Sequence, residues 1–381
     1  MKKFFCSCRM LCIVVALLSL QSAVAGNVVK VGVMLPLHED NGDGLRMVEY
    51  FRGLLFAVDS LKQEGVSVDL VAHNIKEETN VDSVLRLGDM ADRDIVFGPL
   101  YSKQVPALAM LSKLKGTKLV IPFSINTPEL QNCQNLFQVY QSQTDMEPQT
   151  IKNFMRLAFK DADNQVVIID CNDTTSFKKP TFTANVKKYC EANKISYRIT
   201  NSLQADKAFL KAFNKKKENI VVLNSASSPK MLEVFAKLNM VREKNPKIKF
   251  KVLGYTEWLM YEKFQSDNFC KNDVYIPSKF YYNAGNQQIQ NLEKKYMFWF
   301  RQNPQYSLPK FVISGFDQGY YFIKGVAKYG KSFVGSASQP VNTALQSPLH
   351  FSKVSDKGGY INDDVMFIHY RSDKARELIN Y

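Results

Sequence analysis

The feature that most constrains this chain is an alternation of apolar strands with amphipathic helices, which starts at Val28 and runs through most of its 381 residues. The run 28–36 sets Val29, Val31, Val33 and Leu35 in a nearly continuous apolar stretch, as a strand covered on both faces does. The helix after it puts Phe51, Leu54, Leu55, Val58 and Leu61 on one face and stops at Gly65. Further strands are predicted at 68–72, 94–97, 118–121 and 136–140, separated by helices at 81–90 and 103–115. Strands joined by crossover helices lie parallel in one sheet.

A second series begins after 141–146, with strands at 165–170, 195–199, 219–223, 250–253 and 274–277 and helices at 182–193, 205–213 and 229–239. Ser228 reads as the N-cap of the last of these, with Pro229 at its first position. Helices at 287–301 and 310–328, the Gly358-Gly359 pair and an apolar strand at 365–370 complete the chain. The expected fold class is α/β, with two doubly wound parallel-sheet lobes and a hinged inter-lobe cleft. Sheets of this kind carry ligand-competent loops at the carboxyl ends of their strands. Where two such edges face each other, the space between them is the natural site and the linkers are its hinges.

The N-terminus reads as an export signal. Lys2, Lys3 and Arg9 precede an apolar stretch at 11–20, too short to span a bilayer, and Ala23-Val24-Ala25 supplies the small-residue cleavage pattern. Residues 1–25 are therefore expected to be a signal peptide cut after Ala25, which places the mature chain in the periplasm. No later apolar run is long enough to cross a membrane. Four cysteines follow the signal: Cys133, Cys171, Cys190 and Cys270. Cys171 and Cys190 flank one strand-to-helix unit and could pair, but no Cys-x-x-Cys supports redox chemistry or structural zinc.

The chain is basic, with 50 Lys and Arg against 36 Asp and Glu. The excess sits mainly in residues 142–283 and 361–381, where 27 basic residues face 19 acidic ones. The lysine clusters fall at helix ends and turns without interleaved aromatics, so they read as a solvated basic surface rather than a nucleic-acid interface.

Enzyme signatures are absent. There is no G-x-x-x-x-G-K-[ST], no G-x-G-x-x-G after a strand and no G-x-S-x-G turn. None of the four histidines has a partner at zinc spacing, and the stretch 39–44 reads as an acidic loop rather than a calcium loop because Tyr50 stands where the bidentate Glu should be. No cofactor and no metal is expected.

What remains is a set of strand-end loops rich in hydroxyl, amide and aromatic groups. Tyr101 and Ser102 follow one strand, and Ser124, Asn126 and Thr127 the next. Ser225 and Ser227, and then Tyr255, Glu257 and Trp258, hold the equivalent places in the second series. Hydroxyls and free backbone N–H groups at a helix start suit an anion. Glu257 suits an ammonium group, and Tyr101, Tyr255 and Trp258 offer flat walls. Each has a plainer reading too: Ser124, Asn126 and Thr127 as turn residues, Glu257 as a solvated acid, Trp258 as core.

At these residues the chain resembles the type I periplasmic-binding-protein superfamily, in its branched-chain amino-acid-binding and receptor ligand-binding branch. The stretches 29–36, 98–102 and 121–130 follow that family's first lobe. Gly254-Tyr255-Thr256-Glu257-Trp258, Gly315-Phe316-Asp317 and Gly358-Gly359-Tyr360 are similar to Bacteroides-group envelope proteins often described with LysM modules. The resemblance implies one lobe from 26–141 plus 284–360 and a second from 142–283 plus 361–381, joined by three crossings. It also implies that Ser102, Ser124 and Asn126 hold a ligand carboxylate and that Glu257 lies near the ammonium site. The second-lobe tyrosine expected near Ser225–Ser227 is replaced by small residues.

The implied function is non-enzymatic: an exported solute-binding protein that captures a small polar, amino-acid-like ligand for an ABC transporter. The alternative is an envelope adaptor of the same fold acting on peptidoglycan-synthesis or other cell-wall proteins. The expected partners are accordingly a small-molecule ligand and either a membrane permease or a cell-wall protein.

Overall fold

The structure is a computed structural model that describes residues 28–160, 164–341 and 344–379; the expected signal peptide lies outside them. The first series runs β1 (Val29–Leu35), α1 (Gly42–Gln63), β2 (Val68–Asn74), α2 (Val81–Leu85), β3 (Ile95–Phe97), α3 (Val105–Lys115), β4 (Lys118–Ile121) and β5 (Leu136–Gln138). The second runs α4 (Gln143–Ala158), β6 (Gln165–Asp170), α5 (Pro180–Ala192), β7 (Tyr197–Asn201), α6 (Asp206–Leu210), β8 (Asn219–Leu223), α7 (Ser228–Lys244), β9 (Phe250–Leu253), α8 (Glu262–Lys271) and β10 (Val274–Ser278). The chain ends with α9 (Gln287–Phe300), α10 (Phe311–Tyr329), β11 (Phe351–Lys353), β12 (Tyr360–Asn362), β13 (Met366–Tyr370) and β14 (Arg376–Ile379).

Two seven-stranded sheets result, in the orders β11-β12-β5-β4-β3-β1-β2 and β14-β13-β10-β9-β8-β6-β7. The five-strand parallel block is the same in both: second strand, first, third, fourth, fifth. Among the strands of the described residues, β11 against β12 and the β10-β13-β14 edge run antiparallel. The central strands are buried along their length, as β4 and β8 show, because helices cover both faces. One large core fills the β6–β10 sheet, while separate clusters pack on the two faces of the β1–β5 sheet.

On one of those faces α1 lies directly on α10. A Cβ on Gly53 would stand 2.0 Å from the Val312 carbonyl oxygen, and one on Gly315 would stand 1.9 Å from that of Tyr50. The two backbones therefore touch, and only hydrogen fits at each position.

Several expected elements shift. The helix expected at 81–90 stops at Leu85, and the chain then turns through Gly88 at a positive φ of 85°. The helix expected at 205–213 shortens to Asp206–Leu210. The strand expected at 195–199 lies instead at Tyr197–Asn201, where its pairing with β6 sets the register. Ser227, not Ser228, is the residue before α7, and it makes no side-chain cap. Cys171 and Cys190 are both free and buried, so the possible pairing is not formed. Strands β11, β12 and β14 were not expected.

Candidate functional site

The chain passes between the sheets three times: from β5 into α4, from β10 into α9, and from β12 into β13. Each crossing that leaves a parallel strand does so at its carboxyl end. Both α4 and α9 start where their sheet's strands finish, since crossover helices run antiparallel to the strands they cover. The carboxyl edges of both sheets therefore border the same inter-lobe crevice. In each block the strand order reverses beside the first strand, and the crevice outside such a switch point is where open α/β sheets bind ligands. The loops after β3 and β8 sit there.

On the first side, Gly98 (φ 123°) carries the chain over the end of β1, where a Cβ would meet the Met34 carbonyl oxygen at 2.0 Å. Tyr101 follows, and its hydroxyl reaches Asp43 Oδ2 at 3.4 Å. Buried Gln104 anchors this turn through its amide to the Lys76 carbonyl, 2.8 Å away. Ser102 and Ser124 come together across the β3 and β4 ends, with Oγ atoms 2.8 Å apart. The Ser124 hydroxyl also accepts the Asn126 amide at 3.3 Å. Ser102 and Ser124 are half-buried and Asn126 is exposed, so the three form one accessible polar patch. Thr127 does not join it: this residue is buried and its Oγ1 has no partner. The short loop turns its side chain inward instead.

On the second side, the expected groups divide. Trp258 is completely enclosed, stacked on Phe269 with centroids 6.1 Å apart and edge-on to Phe235 and Tyr255. It is core, which corrects the ligand-wall reading. Ser225 is also fully buried; its hydroxyl bonds Asp173 and accepts the Ser227 amide at 3.0 Å. That is a turn-holding role, and Ser227 beside it is nearly as covered. Tyr255 is 5% exposed and its hydroxyl bonds the Leu223 carbonyl, so only part of its ring borders the crevice.

Glu257 does border the crevice, but Lys179 already engages it in a short, half-buried ion pair. Lys179 stands before Pro180, the first residue of α5, and its backbone N–H donates to the Asn224 carbonyl at 2.8 Å. Glu147 of α4 completes the group: burial raises its carboxyl above the ordinary range, Asn185 and Lys179 oppose this, and Glu257 adds to it. Lys179 and Glu147 were missed because Lys178-Lys179 reads as surface charge. The Pro180 helix start was the available signal, since it puts Lys179 at the carboxyl edge of the sheet.

The pocket around Lys179, Glu257 and Glu147, walled also by Met146, Phe182, Tyr255 and Pro277, holds only about 40 Å³. Among the described residues no group of three or more His, Cys, Asp or Glu is placed to hold a metal ion, and no helix is long and apolar enough to cross a membrane.

Among solved structures, the chain is similar to a putative branched-chain amino acid ABC transporter from Rhodospirillum rubrum. The TM-score is 0.56 at 11% identity, over 92% of this chain and all of that one. It is the type I periplasmic-binding-protein fold. LpoA from Haemophilus influenzae is similar at a TM-score of 0.54 and 14% identity; the match takes in 93% of this chain but 59% of LpoA. A leucine-bound ABC transporter substrate-binding protein from Desulfitobacterium hafniense aligns over 93% of this chain and 100% of its own, at 16% identity and a TM-score of 0.43. No protein-family model and no curated protein matches the sequence. At such identities the likeness speaks for the fold alone.

Proposed function

We propose that this chain is an exported, non-enzymatic binding protein whose lobes, 26–141 plus 284–360 and 142–283 plus 361–381, close on a small polar solute for an ABC transporter. One observation carries the reading: three crossings bring the carboxyl edges of two like-ordered sheets to one crevice, with the Ser102–Ser124 hydroxyl pair on one side and the Lys179–Glu257 pair on the other. The Rhodospirillum rubrum protein, described as a putative branched-chain amino acid transporter, favours an amino-acid-like ligand. A solute that touches both sides only when the lobes are shut shifts the hinge equilibrium by its differential affinity. A Kd near 1 μM corresponds to about 8 kcal/mol, within reach of a few charge-assisted hydrogen bonds. On this reading the chain is exported, cut after Ala25, and works in the periplasm.

Thermal-shift screening of amino acids, dipeptides and cell-wall fragments tests the proposal. A hit should raise the Tm of the parent and not that of a Ser102→Ala/Ser124→Ala double variant, whose own Tm should be unchanged. Silence across all three classes would count against solute binding.

A second reading, an envelope adaptor acting on peptidoglycan-synthesis or other cell-wall proteins, is favoured by the saturation of Glu257 by Lys179. Recovery of cell-wall enzymes with the tagged chain, undiminished by Glu257→Gln, would select it.

A further inference from the structure

The pocket at Lys179 and Glu257 is small, and a much larger space adjoins it. Gln143, Thr256 and Glu257 line both. Beyond them lies a trough of about 510 Å³ walled by Leu259, Met260, Phe280, Tyr281, Tyr282 and Leu308. Its position follows from the topology: Thr256 to Met260 follow β9, Phe280 to Tyr282 form the crossing from β10 to α9, and Leu308 precedes α10. The trough therefore belongs to the crevice and takes walls from both lobes and from the hinge.

Its walls are mostly apolar, with Glu262 the acidic residue among them, and are held from behind. The Tyr282 hydroxyl is spent on Glu293 at 2.9 Å, and its ring carries the Lys310 ammonium 5.5 Å from the centroid. The Tyr281 backbone N–H is tied to the Gln346 carbonyl at 2.8 Å. Met260, after β9, and Leu308, before α10, both line the trough while 65% and 64% exposed. Two apolar side chains so open to water in one trough represent unrealised burial.

We infer that the crevice takes a short peptide bearing bulky apolar side chains, with its charged end at the Lys179–Glu257 pair and an apolar side chain in the trough. The trough has more room than the side chain of one free amino acid fills. The smaller pocket admits about 40 Å³, whereas the trough lies within the ~300–1,000 Å³ typical of sites for larger organic ligands. The peptide is favoured over a purely apolar molecule because Gln143, Thr256 and Glu257 supply donors and acceptors along the route into the trough. This inference rests on the crevice being the binding site, as proposed above.

Calorimetric titration of the full chain with glycylglycine, free leucine and Leu-Phe tests it. Burying an apolar side chain is worth roughly tenfold to a hundredfold in affinity, so Leu-Phe should bind at least about tenfold tighter than glycylglycine. Met260→Lys and Leu308→Asp, both at exposed positions, should each remove that advantage and leave Tm and the glycylglycine affinity unchanged. Leu-Phe binding no tighter than glycylglycine, or an advantage that survives both substitutions, overturns the inference. Leucine binding that depends on Ser102 and Ser124, with no gain for Leu-Phe, would overturn it while leaving the crevice reading intact. If none of the three ligands binds, the peptide inference falls, while the crevice reading stands or falls on the wider thermal-shift screen.

Discussion

Glu257 sits beside two charged side chains, and they set what it can do. Lys179 satisfies it, while Glu147 stands close enough to disfavour a second negative charge. Lys179→Met should leave both carboxylates half-buried without their cation and cost about 1.5–3 kcal/mol, the range for a hydrogen bond to a charged group; urea unfolding would read it. Trp258 behaves differently. Enclosed among Phe235, Tyr255 and Phe269, it should cost about 3–5 kcal/mol when cut to alanine, with ligand affinity altered only through the lost stability. Asp317 is the residue to watch with pH. Burial pushes its carboxyl up to about 7 from an ordinary 3.8, against the backbone amides of Leu345, Ser347 and Gln346. Between those values the folded chain holds a proton that the unfolded chain has released. Its stabilising effect is therefore complete below about pH 4 and lost as pH rises through about 7. Asp317→Asn should lower the urea midpoint at pH 5 and flatten the decline from pH 5 to 8; an unchanged slope would contradict this assignment.

Among the elements, the α1–α10 contact is the least forgiving. The clash at Gly53 is with a backbone oxygen of α10, which no rotamer change relieves. Gly53→Ala should force the helices apart and cost about 3 kcal/mol or more, whereas Gly116→Ala, in a loop at φ 74° with nothing within 4 Å, should cost about 1 kcal/mol. Chemical denaturation of the two variants side by side checks both. The same elements show what could be read in advance. The buried parallel strands were legible because their apolar runs have no other use; β1, β4, β6, β8 and β9 lie where the pattern put them. Edge strands were not. The β7 pattern is mostly exposed and takes its register from β6, while the three-residue β11 and β12 carry too little sequence to signal a strand. In the site, Ser102, Ser124 and Asn126 were readable as a strand-end cluster. The inward turn of Thr127 and Ser225 and the capture of Glu257 by Lys179 depend on contacts between segments far apart in the chain.

For the whole molecule, the hinge is clasped by one lysine. Lys279 Nζ donates to the Asn362 and Asp364 carbonyls at 3.0 and 2.6 Å, and Gln141 Nε2 reaches the same Asn362 carbonyl at 2.6 Å, so the three crossings are bonded to each other. Burial drops the Lys279 ammonium to about 8, opposed by Asp364 and Asp363. Lys279→Met should free the third crossing, seen as faster amide exchange at Asp363 and Asp364 with exchange in β1 and β6 unchanged. The central claim is that two lobes share one crevice and shut on what binds there. Spin labels at Lys103→Cys and Lys263→Cys, exposed positions beside the two walls, report it directly when their separation is measured with and without a solute that raises Tm. The account predicts a shorter and narrower distance distribution on binding; a distribution indifferent to the bound solute would contradict it.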